Sequence, residues 1–142
     1  MNNREILFRA IAIHGNEWVF GNYIHSKRMS GRSCEYRIVD KDTGMESDII
    51  PETLGQFTGK LDINGNKVFE GDKILYNNPA PFNYVDCIVK YESANAGFVL
   101  VYLYNDCSIH ELYVKGEIGS LFIPSDNIKV IGTIHDHLLK DK

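Results

Sequence analysis

No window of this sequence carries an apolar period of 3.6 residues long enough for a stable helix, and that absence limits the chain to β architectures. In its place come short runs rich in aromatic and β-branched residues, separated by clusters of Gly, Asn, Asp, Ser and Pro. Ile6–Ile13 and Trp18–Ile24 are joined by His14-Gly15-Asn16 and read as a hairpin. Glu35–Asp40 and Met45–Ile50 flank Lys41-Asp42-Thr43-Gly44, where Asp bonds its own backbone and Gly accepts positive φ. Pro51-Glu52-Thr53-Leu54 reads as one helical turn, with Pro tolerated at its start.

A second set of strands is expected beyond that turn. Gln56–Thr58 and Val68–Phe69 flank a loop, Gly59–Lys67, that contains the strong hairpin pair Asn64-Gly65. Lys73–Tyr76, Tyr84–Tyr91, Phe98–Tyr104, Ile109–Val114, Ile118–Ile123 and Ile128–Ile134 continue the pattern. The segment 77–83 holds two prolines and cannot be a central strand. Many short strands with turns between them point to a small barrel or meander. At 142 residues this makes one domain or two small subdomains, with a soft boundary after Leu54.

Charge and cysteine content set several function classes aside. The net charge is −4, and the segment through Arg32 carries five basic residues against Glu5 and Glu17, so the remainder is strongly acidic. Such a chain repels phosphate backbones at long range, which disfavours strong non-specific nucleic-acid binding. The one basic cluster, Lys27, Arg28 and Arg32, lies in a Gly/Ser-containing loop and is the candidate contact for phosphate. Cys34, Cys87 and Cys107 cannot all pair within one chain and form no C-x-x-C, so reduced thiols in a bacterial cytoplasm are expected. The apolar stretch near the N-terminus is broken by Arg9, and neither a signal peptide nor a membrane helix is expected.

Candidate chemistry is sparse. Asp62-Ile63-Asn64-Gly65-Asn66 opens like a calcium loop, but Lys67 and Lys73 stand where Gly and a bidentate Glu are required. His135 and His137 could share one strand face, yet no further ligand lies near in sequence. Cys107 and His110 invite a thiolate reading, though nothing in sequence orients the imidazole. No phosphate-binding loop, nucleophile elbow or H-E-x-x-H occurs. The expectation is no catalytic residue, no metal and no cofactor. Tyr76, Phe82 and Tyr84 bracket the Pro-containing loop and are the candidate aromatic contacts for a peptide or base.

The segment Leu54–Tyr76, LGQFTGKLDINGNKVFEGDKILY, resembles the YopX family, preceded by a similar Pro51-Glu52-Thr53. Arg4-Glu5-Ile6 with Phe8-Arg9, then Glu17-Trp18-Val19-Phe20-Gly21, look like the family's first two strands, and Val130–Ile134 resembles its closing strand. The chain departs from the family pattern at Lys60-Leu61, which are reversed, and at His135-Asp136-His137, so these histidines are not expected to form a family-wide site. The resemblance implies a phage or prophage protein of low-GC Gram-positive bacteria with no established activity. It also implies an SH3-like barrel over roughly Gln56–His137. The expected architecture is therefore mainly β: an N-terminal β-hairpin subdomain over 1–54, then an SH3-like barrel with a C-terminal tail over 55–142. The expected role is a non-catalytic accessory, a homo-oligomer or a binder of a phage or host protein, with nucleic-acid binding as the alternative.

Overall fold

The structure, a computed structural model, describes residues 5–26, 35–77, 84–93, 96–104, 108–113 and 125–140, with only the backbone described for 84–85, 102–104 and 108–113. Two compact units emerge. The first comprises Met1–Phe57 together with His135–Lys142, and the second is Thr58–Ile134. The chain thus leaves the first unit once and returns to it at His135.

The first unit is built on β1 (Phe8–Ile11), β2 (Trp18–His25), β3 (Tyr36–Val39) and β4 (Glu46–Asp48), each antiparallel to the next. The pairing Ala10↔Val19 and Tyr23↔Ile38 puts every second side chain on one face, where Ala10, Ile38 and Ile49 form a buried core against Phe8, Val19 and Tyr23. An isolated bridge, Ala12↔Ile49, brings the end of β4 to the end of β1. It is flanked by bonds from Ile13 N–H to the Asp48 carbonyl and from Ile50 N–H to the Ile11 carbonyl, both 2.9 Å. A 3₁₀ turn, Pro51–Thr53, follows as expected. Its Thr53 hydroxyl accepts the Ile11 N–H at 2.8 Å and donates to the Ile50 carbonyl at 2.7 Å, so a buried polar group is satisfied twice. β5 (Gly55–Leu61) then pairs with β1 through Gly55 and Gln56.

The expected loop Gly59–Lys67 is shorter than its composition suggests, because β5 runs on to Leu61. The reason is side-chain chemistry. Thr58 donates its hydroxyl to the Val68 carbonyl at 2.8 Å, and Asp62 closes the turn by accepting the Asn64 and Asn66 N–H groups at 3.0 and 2.7 Å. The other Asp62 oxygen accepts the Val130 N–H at 3.0 Å. These bonds outweigh the burial that would raise its pKa, so the carboxyl lies below its ordinary value.

The remaining strands of the second unit are β6 (Lys67–Phe69), β7 (Asp72–Asn77), β8 (Tyr84–Glu92), β9 (Gly97–Tyr104), β10 (Ser108–Tyr113) and β11 (Ile128–Thr133). The two sheets run β4-β3-β2-β1-β5-β6 and β10-β9-β8-β7-β11. Val68, Ile74, Tyr76, Cys87, Val89, Leu100 and Ile128 form the core of this unit. Gly71, at φ +92°, gives its N–H to the Val89 carbonyl and accepts the Ile134 N–H, a left-handed geometry that suits glycine. Beside it the fully buried Asp72 accepts the Phe69 N–H at 2.7 Å.

A mainly β fold is therefore present, and no α-helix occurs among the described residues. The barrel closure expected of the second unit does not appear among the described residues. β10 and β11 sit at opposite edges of the five-stranded sheet, and no described pairing joins them, as a barrel would require. The expected strand Ile118–Ile123 lies outside the described residues. No described helix is long and apolar enough to cross a membrane.

Gly21 has no room for a side chain: a Cβ there would meet the Val39 carbonyl oxygen and carbon far inside contact distance. Gly21→Ala is expected to cost about 2 kcal/mol or more through forced separation of β2 and β3. Urea unfolding checks this; a midpoint equal to wild type would contradict the close approach.

Candidate interaction surface

β2 changes partner along its length. Trp18–Gly21 pair with β1, whereas pairing with β3 begins only at Asn22↔Val39. The first half of β2 and the β3–β4 hairpin therefore diverge, and a cleft of about 350 Å³ lies between them. Trp18, Val19 and Phe20 line one side; Ile38, Asp40 and Ser47 line the other, with Thr43 and Met45 from the turn. Phe20 and Met45, which both line it, are 44% and 70% exposed.

The turn that forms one wall is strongly determined. Asp40 Oδ1 accepts the N–H groups of Asp42 at 2.8 Å and Thr43 at 3.0 Å, and the Thr43 hydroxyl accepts the Met45 N–H at 3.2 Å. The Thr43 and Asp42 backbone bonds hold the Asp40 carboxyl below its ordinary pKa, so the cleft wall is anionic at neutral pH. Arg37 is ion-paired with Glu46, and Lys41 lies 3.3 Å from Glu5. The hairpin's two bases are thus engaged by acids.

Trp18 is fixed by two more groups of the first unit. The Arg9 guanidinium carbon lies 4.3 Å from the indole centroid, and the His135 ring meets it edge-on at 6.4 Å. Arg9 is only 7% exposed. Burial, then the charges of Arg9 and His137, lower the His135 pKa, partly offset by Asp136 and Glu52. The returning segment is anchored by Asn16, whose Nδ2 donates to the Leu138 carbonyl at 2.9 Å and whose carbonyl accepts the Lys140 N–H at 3.0 Å. Sequence reasoning missed this Arg9–Trp18–His135 stack because its members are far apart in the chain and share no spacing signal.

Tyr76 sits in the core of the second unit, 7% exposed, its phenol pKa raised by burial. Tyr84 is placed on β8 opposite Asn77, with its side chain outside the described residues. Lys27, Arg28, Arg32, Phe82 and Cys107 also lie outside them, as does the side chain of His110. His135 packs on Trp18 while His137 is exposed. Among the described residues no three His, Cys, Asp or Glu side chains gather as a metal site. Asp62 and Asp72 are engaged by backbone N–H groups.

Two antiparallel sheets, turns held by carboxylates and the cleft beside β2 define a small β protein built around turn chemistry. The chain belongs to the YopX protein family, whose match covers residues 7–139. Among solved structures, the crystal structure of protein EF1440 from Enterococcus faecalis is similar over 95% of this chain and 96% of that chain, with 20% identity and a TM-score of 0.49. Comparison with curated proteins returns no match.

Cys87 is fully buried, and burial followed by the Asp86 charge pushes its thiol up to about 12. At pH 8 the thiolate fraction is then about a thousandfold below that of an ordinary cysteine. With Cys34 and Cys107 replaced by Ser, Cys87 should resist a thiol-disulfide reagent in native protein and react at once in guanidinium. Fast native labelling would contradict this burial.

Proposed function

We propose that this protein is a non-catalytic, phage-associated accessory that acts by contacting another protein through the cleft of its first unit. The observation that carries the reading is the exposure of Phe20 and Met45 beside a concavity lined by Trp18. Interface cores favour such aromatic and Met side chains. Family membership supports the accessory role. The buried turn carboxylates support the non-catalytic part, because they are committed to backbone N–H groups. Self-association belongs to the same reading: neither sheet closes on itself among the described residues, and open edges invite pairing with a second copy. An SH3-like second unit is also part of it, supported by the antiparallel run β7 to β10 with β11 beside β7.

Site-specific photo-crosslinking tests the contact. A benzophenone amino acid at position 45, in cells that naturally carry the gene, should give a discrete adduct that the same probe at exposed Lys73 does not. Equal or absent adducts at the two sites overturn the contact surface. Light scattering at micromolar concentration should give a mass above one 16.2 kDa chain, and a one-chain mass removes the oligomer.

A further inference from the structure

The cleft has a chemical preference beyond apolarity. We infer that its occupant is an extended protein segment carrying a lysine or arginine between apolar residues, an assignment that rests on the cleft being the contact surface proposed above. Its volume of about 350 Å³ exceeds one side chain and suits a few residues of extended peptide. Trp18 and Phe20 line one side; the Arg9 guanidinium already lies over the Trp18 ring, so the aromatic surface offered to hydrocarbon and cations is that of Phe20, 44% exposed. Asp40 faces them from the other wall, and its carboxylate is held ionised by the two turn amides on Oδ1. The hairpin from Tyr36 to Asp48 carries four acids, Asp40, Asp42, Glu46 and Asp48, against two bases, Arg37 and Lys41. Both bases are already engaged, by Glu46 and Glu5. The wall that a partner meets is therefore negative, and its complement is a cation with apolar neighbours.

Trp18 is the chain's single tryptophan, so intrinsic fluorescence reports on the cleft directly. Three acetylated, amidated pentapeptides Ser-Leu-X-Leu-Ser, with X lysine, norleucine or glutamate, are titrated at low and at physiological salt. The lysine peptide should bind at least about fivefold tighter than norleucine at low salt, and the glutamate peptide weakest. Asp40→Asn should remove that preference and leave the thermal midpoint near wild type, since an amide oxygen accepts the same turn N–H groups. Should the variant misfold, the lysine-to-norleucine ratio in wild type still decides. Equal binding of lysine and norleucine overturns the cation preference and leaves the contact surface standing. No binding of any peptide up to about millimolar also overturns the inference; the adduct at position 45 then separately decides whether the surface is used by other chemistry.

Discussion

The carboxylate of Asp62 is the constraint on which the second unit depends. It gathers the Asn64 and Asn66 N–H groups of its own turn and the Val130 N–H of β11, sixty-eight residues away. Charge-assisted bonds of this kind contribute roughly 1.5–3 kcal/mol each when the acceptor is ionised and shielded. Next to it the Ile63 N–H donates to the Ile128 carbonyl, so turn and strand are joined at two points. β11 pairs with β7, and β7 with β8, so the register set at Asp62 propagates across the five-stranded sheet. Asp72 and Gly71 repeat the device on a smaller scale at the start of β7.

This arrangement bears on function by subtraction. The stretch Leu54–Tyr76 is the most family-like part of the chain, and its buried acids Asp62 and Asp72 would be the natural place to look for chemistry. Their oxygens instead hold turns closed. What the first unit offers is different in kind: exposed apolar side chains beside a cleft, with one ionised wall. Rigid turn chemistry and an accessible apolar surface are what a binding protein needs, since a preorganised surface loses little entropy on contact.

The strands and turns were legible in the sequence because period-2 runs and Gly/Asn/Asp turns are local signals. The hairpin from β1 to β2, the 3₁₀ turn at Pro51–Thr53 and the run β7 to β9 follow directly from them. Three things were not legible. The length of β5 depends on Thr58 and Asp62 meeting Val68 and Val130, which only tertiary contact supplies. The return of His135–Lys142 to the first unit depends on Asn16, a residue that reads simply as a turn. The cleft arises because β2 exchanges β1 for β3 partway along, and nothing in its residue pattern announces that exchange. Tyr76 illustrates the converse: an aromatic beside a loop reads as a contact residue, whereas here it fills the core.

The central claim is that the family stretch is structural, and Asp62 is where to test it. A carboxyl with a lowered native pKa contributes stability that is complete above its unfolded value of about 3.9 and is lost as pH falls through the native value. Carbon-detected NMR of the Asp62 carboxyl, read together with Val130 amide exchange, measures this directly. The account predicts a midpoint below the ordinary carboxylate value, with Val130 protection lost as Asp62 protonates. A midpoint at or above the ordinary value, with Val130 indifferent to it, would contradict the account and return this carboxylate to the list of groups available for chemistry.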